Sequence, residues 1–87
     1  MLIEQNPSMK AVFSDGNVIV VDMALGRCFA LNGSAATIWN ALETRRTIDD
    51  VCTILTGEFE VTAEDCRPSV DSLIDDWRKN GLVRTID

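Results

Sequence analysis

The stretch Val21-Asp22-Met23-Ala24-Leu25-Gly26-Arg27-Cys28-Phe29-Ala30-Leu31-Asn32, followed by Ile38-Trp39, decides the reading of this chain. It spells the end of one strand, a turn closed by glycine, a further strand and the start of a helix. Gly26 suits the left-handed position that ends such a turn. Arg27 to Leu31 then alternate, with Cys28 and Ala30 on one face and Arg27, Phe29 and Leu31 on the other. The alternation leaves open which set points inward.

Upstream, Asp15-Gly16 separates two apolar runs, Met9 to Ser14 and Asn17 to Met23. Asp-Gly between such runs signals a hairpin, because a type I′ turn needs positive φ at both central positions. A two-residue turn sets Ser14 opposite Asn17 and Phe13 opposite Val18. Ala11 and Val20 share their face, and Val12 and Ile19 share the other. In a simple meander the middle run is central and the outer two are edges. Residues 1–8 read as a loose lead-in.

Downstream, Ala35, Ile38, Trp39 and Leu42 recur at i, i+3, i+4 and i+7, a single helical stripe. Asn32 or Ser34 is its expected cap. Thr47 with Asp50 resembles a capping box for a second helix, whose apolar face is Ile48, Val51, Cys52, Leu55 and Phe59. Thr62, Glu64 and Asp65 open a third helix, which carries Cys66, Val70, Leu73, Ile74 and Trp77. Lys79-Asn80-Gly81 stops it, and Leu82-Val83 is expected to fold back on the last turn. Pro68 predicts either a helix start near Arg67-Pro68 or a bend there, since an interior proline removes a hydrogen bond and clashes with the preceding turn. The order predicts a winged-helix-like α+β domain over 1–87. A three-stranded antiparallel sheet at 9–31 is followed by three helices within 32–84.

Composition narrows the function. An 87-residue chain supports one core, and an apolar fraction of 46% is too high for disorder. No apolar stretch approaches the ~18 residues of a membrane span. Met1 to Pro7 lacks the basic and apolar regions of a secretory signal, so a cytoplasmic protein is expected. The net charge of −6, with no histidine, argues against nucleic acid and suits a basic peptide through steering. On the third helix and its flanks Glu64, Asp65, Asp71, Asp75 and Asp76 outnumber Arg67, Arg78 and Lys79.

Cys28, Cys52 and Cys66 form no C-x-x-C, so they read as free thiols in a reducing compartment, with no metal site. Cys28 has no histidine base to make it a nucleophile. Asp71, Asp75 and Asp76 read as a solvated helix face. A non-enzyme without cofactor is expected.

Asp22 to Arg27, Phe29, Leu31-Asn32, Ile38-Trp39, Thr47-Ile48 with Val51, and Gly81-Leu82-Val83 occur in an order that resembles the PqqD-like family over residues 9–84. Within it the chain looks most like the stand-alone leader-binding proteins of split lasso-peptide pathways. The resemblance implies a recognition element for the leader of a ribosomally made precursor peptide. The leader would add as a strand to the third strand, in a groove closed by the third helix, and be delivered to a leader peptidase or other modifying enzyme. It implies leader contacts from Arg27, Cys28, Phe29, Ala30 and Leu31 on the strand. On the helix it implies Val70, Asp71, Leu73, Ile74, Asp75, Trp77 and Arg78, with Asp71, Asp75 and Arg78 at the rim.

Two positions depart from the family pattern: Cys28 replaces a frequent aromatic, and Gly33 a frequent proline. Physics supports strand addition, because Arg27 to Leu31 holds no Pro, no Lys and one charge, which leaves its edge poorly blocked. The alternatives are a PqqD-type peptide chaperone for a radical-SAM enzyme, and an adaptor that dimerises edge to edge.

Overall fold

The computed structural model describes residues 1–86. Their order is β1 (Leu2–Gln5), β2 (Met9–Ser14), β3 (Asn17–Asp22), β4 (Arg27–Leu31), α1 (Gly33–Ala41), α2 (Ile48–Glu58), α3 (Ala63–Lys79) and β5 (Val83–Ile86). Asp15 and Gly16 take φ of 51° and 79°, as a type I′ turn demands. The register that follows pairs Ser14 with Asn17, Phe13 with Val18, Val12 with Ile19 and Ala11 with Val20. β3 is central and β4 is an edge, giving the expected three-stranded antiparallel sheet of a winged-helix-like α+β fold.

The structure decides which face of β4 is inward. Leu31 is buried and Arg27 and Phe29 are half-buried, whereas Cys28 and Ala30 are exposed. They continue the faces of β3, where Val18, Val20 and Asp22 are buried. Asp22 is the polar member of this inner face. Its Oδ1 accepts from the N–H groups of Ala24 and Leu25 at 3.1 Å each, and its Oδ2 from Arg27 Nη2 at 3.0 Å. One carboxylate thereby satisfies the donors of the β3–β4 turn, as a buried charge must.

The chain's ends differ from expectation. Residues read as a loose lead-in form β1, which pairs antiparallel with β5 from Leu2↔Ile86 to Gln5↔Val83. Leu82 folds back on the last turn of α3 as expected, its N–H donating to the Trp77 carbonyl at 2.9 Å and its side chain fully buried, but Val83 goes on to open a strand. The other edge of β1 is held by Arg46, through Ile3 N–H to Arg46 O at 2.7 Å and Arg46 N–H to Ile3 O at 3.0 Å. Glu4 joins the same three segments. It accepts from Arg45 Nε at 3.0 Å and Arg84 Nε at 2.6 Å.

The helices follow their capping signals, with two corrections. Thr47 and Asp50 form the full reciprocal box. Asn32 takes the cap position of α1, but its side chain makes no capping bond. Gly33 has a φ of 54°, which a proline ring, locked near −65°, cannot adopt, so this entry into α1 relies on the freedom of glycine. α3 begins at Ala63 and runs through Pro68, five residues inside its start. The carbonyl that loses its donor belongs to Glu64, an exposed residue that water can reach.

All three helices and both sheets contribute to one buried cluster, in which Trp39 and Trp77 meet edge to face with centroids 6.1 Å apart at 78°.

Acid should loosen this fold. Arg45 and then Arg84 hold the Glu4 carboxyl below its usual range. Arg27, chiefly, does so for Asp22, the Thr47 N–H for Asp50, and Arg78 with Lys79 for Asp75. Each group binds its proton more weakly folded than unfolded. Their stabilisation is therefore present above the unfolded carboxylate range, about pH 4, and lost as pH falls through the lowered folded values. The melting temperature is expected to be flat from about pH 5 to 8 and to fall below about pH 4. Glu4→Gln should flatten that acid limb, and an unchanged limb in that variant would show that the Glu4 cluster is not its source.

Candidate functional site

β4 is bonded on one side only. The two-residue turn makes Ser14–Asn17 a hydrogen-bonded pair, and such pairs alternate along antiparallel strands. Val18, Val20 and Asp22 therefore direct their backbone groups at β4, and the Asp22 carbonyl indeed receives the Gly26 N–H at 2.8 Å. Their partners Leu31, Phe29 and Arg27 are thus committed to β3. Cys28 and Ala30 point their N–H and C=O groups to the empty side. Four backbone groups on these two residues form the open edge, and their small side chains leave the approach unobstructed.

Beyond the end of β4, Ser34 leads into an apolar cavity of about 350 Å³. Ile38 of α1 and Leu55 of α2 line it, with Cys66, Val70 and Leu73 of α3 and with Phe59 and Val61 of the α2–α3 link. Ile38, Leu55, Cys66 and Val70 are also core residues, so the cavity is an indentation of the core. The pKa of the neighbouring Cys52 thiol is pushed up to about 11, first by burial and then by the Cys66 thiol beside it, and both cysteines are free. A thiol so protonated is a poor nucleophile at neutral pH.

The residues implied by resemblance do not form one surface. Cys28 and Ala30 carry the open edge, and Phe29 and Leu31 lean towards the core. Arg27 is spoken for: besides Asp22, its Nη2 donates to the Asn80 carbonyl at 2.9 Å, and its guanidinium carbon lies 5.3 Å from the Phe29 ring centre. This ties the start of β4 to the end of α3. Val70 and Leu73 line the cavity. Asp71, Ile74, Asp75 and Arg78 instead line a separate hollow of about 280 Å³ with Met1, Ile48 and Thr85. There Asp75 accepts from Arg78 at 2.6 Å and pairs with Lys79 at 3.0 Å. Ile74 and Trp77 are each only 4% exposed and belong to the core.

Sequence reasoning missed Phe59 and Val61 as cavity residues. Phe59 was expected on the apolar face of the second helix, but α2 ends at Glu58 and Phe59 takes an extended conformation beyond it. The signal was the pattern Glu58-Phe59-Glu60-Val61, which sets two large apolar residues among acids. Among the described residues no helix is long and apolar enough to cross a membrane.

Comparison with known proteins gives these features a family. No curated protein matches the chain. A solved structure of lasso peptide synthetase B1, complexed with the leader peptide, superposes with a TM-score of 0.83 at 25% identity, covering 95% of this chain and 98% of that one. TbiB1, in complex with the TbiA(beta) leader peptide, superposes with a TM-score of 0.88 at 14% identity, over 97% and 98% of the two chains. The model of the family described as coenzyme PQQ synthesis protein D matches residues 17–83, most of the fold from the central strand β3 to the start of β5, and the chain belongs to that PqqD family.

Proposed function

We propose that this PqqD-family protein binds the leader of a ribosomally synthesised precursor peptide, in a lasso-peptide pathway of the cytoplasm, and presents it to a leader peptidase or other modifying enzyme. The carrying observation is the open edge at Cys28 and Ala30 together with an apolar cavity among the helices, whose lining begins at Ser34, three residues after β4 ends. Backbone pairing on that edge supplies affinity, and the cavity supplies side-chain choice. The likeness to a lasso peptide synthetase B1 held in complex with a leader supports the reading. The protein contributes no catalytic group. It raises the effective concentration of the substrate at its partner and fixes its orientation.

Fluorescence polarisation tests the proposal, using a labelled leader from the precursor gene beside this one and a scrambled control. Saturable binding of the true leader alone at micromolar Kd or tighter, about −8 kcal/mol, is the expected result. Equal binding of both peptides would sink it. A constitutive dimer by light scattering that leader does not dissociate would favour the edge-to-edge adaptor, which uses the same open strand.

A further inference from the structure

The apolar cavity and a shallower hollow beside it share Phe59, Val61 and Asp65, so they form one groove that extends from Ser34 to the α2–α3 link. Its lip is acidic. Glu58 and Glu60 line the hollow and Asp65 lines both parts, while no Lys or Arg lines either. Among the described residues these three carboxylates enter no ion pair: the six pairs formed use Asp22, Asp49, Asp75 and Glu4. Arg67, the nearest cation in sequence, is held by Asp49.

Helix stability explains only part of this charge. Asp65 lies in the first turn of α3, where an acid is favoured. Glu58 is the last residue of α2, where a carboxylate meets the negative end of the helix dipole, and no basic residue in that turn offsets it. Glu60 lies in the link, outside both helices. Between these acids Phe59 and Val61 stay 37% and 43% exposed. The groove thus offers apolar surface and uncompensated negative charge together.

We infer that this groove takes an apolar side chain flanked by Lys or Arg, in the part of the leader that overhangs the Leu31 end of β4. In an antiparallel added strand, that part precedes the paired stretch. The inference rests on the leader-binding reading and gives it a chemical specificity: backbone pairing at Cys28 and Ala30, then a basic-apolar anchor at the α2–α3 link. Charge complementarity selects this occupant over a neutral or acidic segment.

The test is polarisation with the same labelled leader, a second peptide whose Lys and Arg in the overhanging part are Gln, and the variant Glu58→Gln/Glu60→Gln/Asp65→Asn. All three substituted residues are exposed, so the fold should survive, as a circular dichroism melt would show. Near 50 mM salt the triple variant should bind the leader about tenfold more weakly, and the neutral peptide should lose as much against the unaltered protein. The two losses should not add, because they remove the same interaction. Glu60→Gln alone should weaken binding about twofold, and the differences should shrink at high salt. Unchanged affinity and salt dependence in the triple variant, additive losses, or a leader with no basic residue in that part would overturn the inference while leaving leader binding intact. Failure of the unaltered protein to bind any leader would overturn both.

Discussion

Ala30→Pro is expected to fold normally and to bind leader at least about thirtyfold more weakly, a loss of about 2 kcal/mol or more. The Ala30 N–H points to the empty side of β4, so the fold spends no hydrogen bond there. Its side chain is exposed on the outer face, and an edge position of this kind accepts proline. An incoming strand, however, loses a donor and meets the pyrrolidine ring. Phe29→Pro is the contrasting case. Phe29 sits opposite Val20 in a bonded pair, so proline there orphans a carbonyl of the central strand at about 1–3 kcal/mol and removes a half-buried ring as well. For a small domain of marginal stability that is expected to unfold much of the population. Thermal melts and polarisation on the two variants separate the outcomes. An Ala30→Pro protein that melts normally and binds leader unchanged would place the binding edge elsewhere.

Ile74→Asp should unfold the protein, whereas its neighbour Leu73→Asp should fold and bind leader more weakly. Ile74 is 4% exposed among core residues, and the cations on its own helix, Arg78 and Lys79, are engaged by Asp75. An unpaired carboxylate there, with the lost packing, is expected to cost more than about 4 kcal/mol. Leu73 is half-buried and lines the groove, where an aspartate keeps access to water. Its expected effect is a leader affinity weaker by about 2 kcal/mol, roughly thirtyfold, at a much smaller cost in stability. A folded Ile74→Asp variant with selectively weakened binding would return Ile74 to the peptide surface and count against the division of α3 described above.

That division marks where the sequence stops being sufficient. The β2–β3 hairpin, the central place of β3, the Thr47–Asp50 box and the apolar stripes of the helices were all legible, because each depends on residues a few positions apart. Asp-Gly dictates its turn, the turn dictates register, and register dictates which residues face each other. The pairing of β1 with β5 was not legible: it joins Leu2 to Ile86, and two four-residue strands carry too little alternation to announce each other across the chain. The tie between Arg27 and Asn80, at the far end of α3, was not legible for a related reason: it joins residues 53 positions apart.

The candidate site divides the same way. By itself, the sequence determined that a poorly blocked edge strand with small residues at Cys28 and Ala30 would be followed by three amphipathic helices, since composition and period are local properties. Only the tertiary structure decided which face of β4 turns inward. It also set Val70 and Leu73 apart from Asp71, Asp75 and Arg78, and brought Phe59 and Val61 to the groove. A helix presents every face at regular spacing, and what a face meets depends on where the other elements pack.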